Sequence, residues 1–143
     1  MHYLTNELRM DLPGFSQDRT VNVLTLAEPT RGEPFQFIVN RDVLPPGETL
    51  DQCCDRQVDA MSLQPEIFRA VAKRSIVVGP AKIPGIEIES NFTQSGKVFH
   101  QLQGMVLTQA PQMTVLTLSA ITPIHEGHRS AWRDILASIE LRV

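Results

Sequence analysis

The sequence predicts an α+β fold in which an antiparallel β-sheet has its helices packed on one face. Segments rich in β-branched and apolar residues recur along the chain, and very short turns separate several of them, as in antiparallel neighbours. Only two segments have the apolar spacing of an amphipathic helix. One group of strands precedes the first of these helices, another follows it, and the second helix comes last, which is the element order of an α+β domain.

The first group of strands lies in the N-terminal third of the chain. We expect strands over His2–Thr5, Leu8–Leu12, Thr20–Ala27 and Phe35–Arg41. Pro13-Gly14 is a turn signal after the second of them. The segment from Pro29 to Pro34, with Gly32 inside it, predicts a hairpin loop between the last two.

The first helix should follow Thr49, which is a good N-cap residue. Its apolar positions recur at i, i+4, i+8 and i+11, and they are Leu50, Cys54, Val58 and Met61. Acidic residues occupy the opposite side, namely Asp51, Asp55 and Asp59. Pro65 limits the helix. The next segment, Ile67–Val78, is compatible with a longer helix or with a strand, and we expect mostly strand from about Phe68.

Three further strands and a final helix complete the prediction. The strands are Gly85–Gln94, Lys97–Thr108 and Gln112–Ile121, with turns at Ser95-Gly96 and Ala110-Pro111. The helix should run from about Gly127 to Ser138. Its apolar residues recur at i, i+3, i+4 and i+7, and they are Trp132, Ile135, Leu136 and Ile139. We therefore expect one side of the helix to pack on the sheet, with Trp132 as a core residue.

Composition and charge exclude several classes of protein. The net charge is −3 and no run of Lys or Arg occurs, so we expect no nucleic-acid partner. The N-terminus does not resemble a signal peptide, and no window approaches the roughly 20 apolar residues of a membrane-spanning helix. We therefore expect a cytoplasmic protein that is not inserted in a membrane. Adjacent Cys53 and Cys54 do not make a disulfide framework.

No HExxH, CxxC, GxSxG, GxGxxG or P-loop motif is present, and we expect neither an enzyme nor a cofactor. His125 and His128 are three residues apart and could bind a metal with a cysteine from elsewhere, but a solvated turn is the favoured interpretation, and no metal is expected. Cys53-Cys54 could be a nucleophile with a distant histidine, although packing of buried thiols is favoured. Glu87 and Glu89 are interpreted as exposed strand positions.

The second face of the predicted sheet carries amides instead of charges. On one strand Phe35, Phe37 and Val39 share one face, while Gln36, Ile38 and Asn40 share the other. Elsewhere Val21 and Val23 share a face, as do Phe99, Gln101 and Gln103. Two interpretations stay open. The face is a second core layer or a homodimer interface, or it is a groove for an apolar partner whose polar groups the amides would bond.

Five segments, in this order, resemble the DcrB-like family and in particular the Eag chaperones, which are adaptors of type VI secretion effectors. They are LPGFSQDRTVNVLTL (12–26), FIVNRDVLPPGETL (37–50), RQVDAM (56–61), HQLQ (100–103) and SAWRDILASI (130–139). The resemblance spans nearly the whole chain and implies one domain over residues 1–143 with a PsbP-like fold. It also implies a homodimer without enzymatic activity.

The resemblance further implies a function and a site. Such proteins bind N-terminal transmembrane segments of an effector in the cytoplasm and help to load it on the VgrG spike. Carried over by position, the client-binding groove comprises Val21, Val23, Gln36, Ile38, Asn40, Gln57, Met61, Phe99, Gln101 and Gln103. Gln36 and Asn40 stand where small hydroxyl residues are more usual, and Met61 replaces a smaller residue. The alternative is a homodimeric scaffold protein with no transmembrane client.

Overall fold

The computed structural model describes residues 2–4, 7–13 and 19–142. Its strands are β1 (His2–Leu4), β2 (Arg9–Asp11), β3 (Asn22–Ala27), β4 (Pro34–Val43), β5 (Phe68–Val78), β6 (Ile83–Gln94), β7 (Lys97–Gln109) and β8 (Gln112–Ala120). Its helices are α1 (Leu50–Met61) and α2 (Glu126–Ala137). The predicted elements are therefore confirmed with shifts of a few residues at their ends. Thr5 of the first predicted strand and Gly14 of the predicted turn lie outside the described residues.

Six strands form one antiparallel sheet in the order β3-β4-β8-β7-β6-β5. β5 to β8 form a meander, and the β3–β4 hairpin joins it through the pairing of β4 with β8. β1 and β2 pair separately. Because β5 lies at the edge of the sheet farthest from the hairpin, the chain between β4 and β5 has to cross one face of the sheet. α1 lies in that crossing, and neither α1 nor α2 is long and apolar enough to span a membrane.

Local sequence signals account for several element boundaries. Thr49 caps α1 in a capping box: its hydroxyl accepts the backbone N–H of Gln52 at 3.1 Å, and the Gln52 side chain accepts the Thr49 N–H at 3.0 Å. Ser95 and Gly96 both have positive φ, which suits the two-residue turn between β6 and β7. For the ambiguous segment Ile67–Val78, pairing with β6 decides in favour of the strand β5.

The α+β class and the antiparallel sheet are confirmed, but the prediction that the helices share one face is wrong. α2 packs on a cluster that includes Leu102, Val106 and Leu118. α1 packs on a cluster that includes Met105 and Met113, which belong to the same two strands but point the other way. Since both faces of the sheet carry apolar residues, each face needs its own covering helix.

The interpretation of Glu87 and Glu89 as exposed residues is also wrong. Both lie on the α2 side of β6, and Glu87 is only 7% exposed. The Trp132 indole N–H donates to Glu87 at 2.6 Å, and Arg74 pairs with the same carboxylate at 2.8 Å. Arg129 forms a bidentate pair with Glu89, which lowers the pKa of Glu89. Trp132 is buried, as predicted, and these pairs anchor α2 to the sheet.

Candidate functional site on the α1 side of the sheet

Two rows of paired residues cross β3, β4, β8 and β7 on the α1 side of the sheet. One row is Val23, Ile38, Thr117 and Gln103, and the other is Thr25, Gln36, Ser119 and Gln101. Residues paired directly in antiparallel strands share a face, with Cβ atoms about 4.5–5.5 Å apart. Asn40 and Phe99 also lie on the α1 side, outside the apolar cluster beneath α1. We refer to these two residues and the eight residues of the rows together as the open face.

Glutamines and hydroxyl residues alternate along the open face and bond to one another. Gln36 donates to the Thr25 hydroxyl at 3.0 Å, and Gln103 donates to Thr117 at 3.3 Å. Gln101 donates to Ser119 at 3.4 Å. We call these three pairs the amide–hydroxyl ladder. Each pair uses one amide N–H, while a glutamine has two such donors and a carbonyl oxygen with two lone pairs. The ladder therefore holds the side chains in place and keeps hydrogen-bonding capacity for a further partner.

The open face combines exposed aliphatic residues with polar residues, and none of its ten members is charged. Val23 is 59% exposed, while Ile38 is half-buried. Thr117 and Ser119 are buried at the bottom of the two rows. Absence of charge matters for binding, because covering a charged group costs far more free energy than covering a hydrogen-bonded amide or an aliphatic side chain.

α1 borders the open face. Its buried Cys53 and Cys54 pack on β6, β7 and β8 through the cluster that includes Ile88 and Met105. Lys73 of β5 pairs with Asp51 at 2.6 Å and with Asp55 at 2.7 Å, so the acidic side of α1 turns toward that edge. Helical spacing then places Cys53 and Gln57 on the opposite edge of the α1 surface that packs on the sheet, toward the open face.

The structure brings most of the predicted groove residues to one side of the sheet. The open face contains Val23, Gln36, Ile38, Asn40, Phe99, Gln101 and Gln103. Val21 directly precedes β3 and is exposed, and strand alternation gives it the side of Val23. Gln57 and Met61 lie on α1; Gln57 is half-buried near the Cys53 thiol, whereas Met61 is exposed. Sequence reasoning missed Thr25, Thr117 and Ser119, which are recognised only through their pairing with the glutamines.

The two thiols do not have the environment of a nucleophile. Cys53 and Cys54 are both buried between α1 and the sheet. Burial raises the pKa of each thiol, and the Glu48 carboxylate raises that of Cys53 further. An activated cysteine needs a lowered pKa and access to a substrate. The geometry therefore supports packing as the role of these residues.

A separate polar cluster lies at the N-terminus of α2. His125 is the N-cap residue, and its Nδ1 accepts the backbone N–H of Gly127 at 3.0 Å. His128 is completely buried, and its Nδ1 accepts the backbone N–H of His125 at 3.2 Å. The interpretation of this segment as a solvated turn is wrong for His128, because the loop between β3 and β4 covers it.

Glu33 of that loop completes the cluster. Glu33, His125 and His128 each offer one possible ligand atom, and these three atoms lie within 4.8 Å of one another. Such a spacing would allow all three atoms to bind one metal ion. The proton positions do not suit a cation, however. Because both Nδ1 atoms accept backbone N–H groups, each neutral ring carries its proton on Nε2. The rings thus present N–H groups, not lone pairs, and we assign no metal here.

Comparisons with known proteins agree with the fold. The family model described as DcrB matches residues 7–138. Among solved structures, the crystal structure of PA94 from Pseudomonas aeruginosa, a protein of unknown function, has a TM-score of 0.77 and 17% sequence identity, covering 100% of this chain and 97% of that chain. At this level of identity the similarity shows a common fold alone. No curated protein sequence matches significantly.

Proposed function

The chain belongs to the DcrB family, and from this premise we propose that it is a chaperone and adaptor of type VI secretion. It binds N-terminal transmembrane segments of an effector, shields them in the cytoplasm and aids loading of the effector on the VgrG spike. It works as a homodimer and catalyses no reaction. The open face with the neighbouring edge of α1 is the surface that receives the segment.

The observation that carries this proposal is the amide–hydroxyl ladder in an uncharged, partly aliphatic face. Transmembrane helices associate through small and polar residues as well as aliphatic ones. A receptor for such a helix needs apolar area together with neutral hydrogen-bonding groups. Val23 and Ile38 offer the apolar area, and the ladder glutamines offer N–H and carbonyl groups beside it.

The energetic reason for a chaperone lies in the client. Each Leu-sized side chain that leaves water gains roughly 1.5–3 kcal/mol, so an unshielded transmembrane segment aggregates. An amphipathic or apolar helix lying in a groove is a common recognition mode. Neutral amides add direction to this contact at small cost, since each bond to a client hydroxyl or carbonyl group replaces a bond to water.

Two neighbouring residues of β3 provide a matched test. Val23 points to the open face, whereas Leu24 pairs with Phe37 and points to the α2 side. Their exposed fractions are similar, 59% and 51%. We expect Val23→Asp to weaken client binding at least about 30-fold, because burying an unpaired charged group costs about 2 kcal/mol or more. Leu24→Asp should bind like the unsubstituted protein.

The experiment is co-expression of each variant with the N-terminal apolar segment of a genomically neighbouring effector, followed by size-exclusion chromatography with light scattering. A soluble complex with the mass of a dimer plus client supports the proposal. Thermal unfolding of both variants checks that each is folded. Equal loss of binding in both variants would move the interface away from the open face, and failure of the unsubstituted chain with every candidate client would refute the chaperone function.

A second candidate function is a homodimeric scaffold whose open face is only the dimer interface. Exposure of Val21 and Val23 favours it equally, because a second copy would cover the same aliphatic residues. The same variants distinguish the two functions. In the scaffold, Val23→Asp turns the dimer into a monomer without any client, whereas in the chaperone the mass of the free protein stays unchanged.

A further inference from the structure

The N-terminus of α2 is capped by two histidines, which replaces the usual pairing of a hydroxyl residue with a glutamate or glutamine. His125 is the N-cap residue and His128 is the third helical residue, and each ring accepts one backbone N–H through Nδ1. Both bonds require an unprotonated Nδ1. Serine, threonine or glutamine would accept the same bonds at any physiological pH, whereas an imidazole loses this capacity when it gains a proton.

The β3–β4 loop is fastened to this capped helix end. Gly127 allows a very close approach, since a Cβ atom there would lie 2.1 Å from a Glu28 carboxylate oxygen. His125 Nε2 lies 3.5 Å from the Glu33 carboxylate, and the Thr122 hydroxyl donates to the same carboxylate at 3.4 Å. The rings of Phe35 and His128 pack against each other at nearly a right angle. Loop and helix end therefore depend on one another.

Protonation would oppose this arrangement in three ways. An imidazolium has an N–H at Nδ1, which would face the donor N–H that it now accepts. The Nε2 atom of His128 is buried and has no hydrogen-bond partner among the described residues, so a charge on this ring would be poorly solvated. A positive charge also interacts unfavourably with the N-terminal end of a helix.

The charges around His128 do not offset its burial. Glu28 and Glu33 of the loop favour the imidazolium, while Arg31 of the loop and His125 of the same helix oppose it. Burial is the largest influence, and the pKa of His128 lies below its usual value. His128 in the unfolded chain thus binds a proton at a higher pH than in the folded protein. Stability contributed by the neutral ring is fully present above about pH 6.5 and is lost as the pH falls below that value.

We infer that the histidine capping box is a pH-sensitive latch that holds the β3–β4 loop on α2 at neutral pH and releases both in mild acid. Opening disorders the first turn of α2 and loosens the loop. β3 and β4, which the loop connects, carry half of the open-face residues, so the latch also connects acidity to the shape of the open face. The latch does not depend on the proposed function, because it concerns this chain alone.

Hydrogen exchange of the full chain tests the latch. After correction for the intrinsic exchange rates, we expect protection of the amides at residues 125–129 to fall between pH 7.5 and pH 5, approaching tenfold per pH unit for one linked proton. His128→Gln retains an acceptor that cannot titrate, as in an ordinary capping box. Protection in this variant should fall less steeply with pH than in the unsubstituted chain, because only one of the two capping imidazoles remains. Unchanged protection in the unsubstituted chain, or the same pH dependence in His128→Gln, would overturn the inference.

A second measurement needs no variant and covers the case in which His128→Gln does not fold. Ring ¹⁵N chemical shifts at pH 7.5 should show the Nε2–H tautomer for His125 and His128, with protonation of His128 below that of a free histidine. An Nδ1–H tautomer would contradict the capping box. Shifts of these ring signals on addition of Zn²⁺ at pH 7.5 would likewise contradict it and identify a metal site in its place.

Discussion

At the level of single residues, Glu28 shows how backbone geometry can hold a carboxylate ionised in a covered position. The residue is only 1% exposed. It accepts the backbone N–H groups of Thr30 at 2.7 Å and Arg31 at 2.6 Å, and the Thr30 hydroxyl at 2.6 Å. Burial alone would raise the pKa of Glu28, but these bonds outweigh it and lower the pKa to about 2.

A prediction follows from the sign of this shift. The lowered pKa of Glu28 contributes stability that is complete above about pH 4.5 and is lost as the pH falls toward 2. Glu28→Gln should therefore lower the free energy of unfolding at pH 7 and flatten its decline between pH 5 and pH 2. Urea unfolding across this range measures both effects. A variant with the same slope as the unsubstituted chain would show that other carboxylates cause the decline. The decline caused by Glu28 begins below about pH 4.5, whereas that caused by His128 begins near pH 6.5.

At the level of elements, α1 is positioned by its N-terminal cap and by one lysine. The capping box at Thr49 begins the helix, and Lys73 of β5 binds both Asp51 and Asp55, which raises the pKa of the lysine. These contacts are exposed, so most of the stability of α1 comes from the packing of Cys53 and Cys54 on the sheet. The position of α1 decides how much of the second face stays uncovered.

We expect Thr49→Ala to lower the free energy of unfolding by about 1 kcal/mol, because the variant loses the N-cap acceptor. Thr49→Ser keeps the acceptor and is the matched control, with an expected change of a few tenths of a kcal/mol at most. Urea unfolding followed by far-UV circular dichroism measures both variants. Equal stability of the alanine and serine variants would mean that the cap contributes nothing and that packing alone holds the start of α1.

At the level of the whole molecule, two apolar clusters share a single sheet. Leu118 lies in the cluster beneath α2 and Met113 in the cluster beneath α1, and both belong to β8. Because one strand contributes to both clusters, loss of either should destabilise the sheet as a unit.

The α2 side also contains a cleft of about 580 Å³ lined by Arg74, Trp132 and Arg133 among others, away from the open face.

We therefore expect Leu118→Ala and Met113→Ala each to lower the free energy of unfolding by about 2–5 kcal/mol in one cooperative transition. Fluorescence of Trp132, the only tryptophan, reports on the α2 side, and far-UV circular dichroism reports on the entire chain. The two signals should give the same midpoint in each variant. If Met113→Ala shifted the circular dichroism transition alone, the two sides would unfold independently.

Local patterns were enough to predict most of the strands, both helices and the side of its own strand on which most open-face residues lie. Alternation within a strand assigns Gln36 and Ile38 to one side without any knowledge of their neighbours. Thr49, Gly96 and the apolar spacing around Trp132 act within a few residues of their own position. Such signals are short-range, so the order of the residues alone is enough to recognise them.

Tertiary structure decided everything that depends on pairing between distant segments. Alternation assigns Glu87 and Gln103 each to one face of its strand, but it does not show which helix covers that face. The expectations that α1 and α2 share a face and that Glu87 is exposed to solvent are therefore wrong. The ladder required the register of β8 against β4 and β7, and the latch required the β3–β4 loop to meet the start of α2 about ninety residues later in the chain. Contacts of that separation arise only when the whole sheet is assembled, because loop closure and packing, not local preference, determine them.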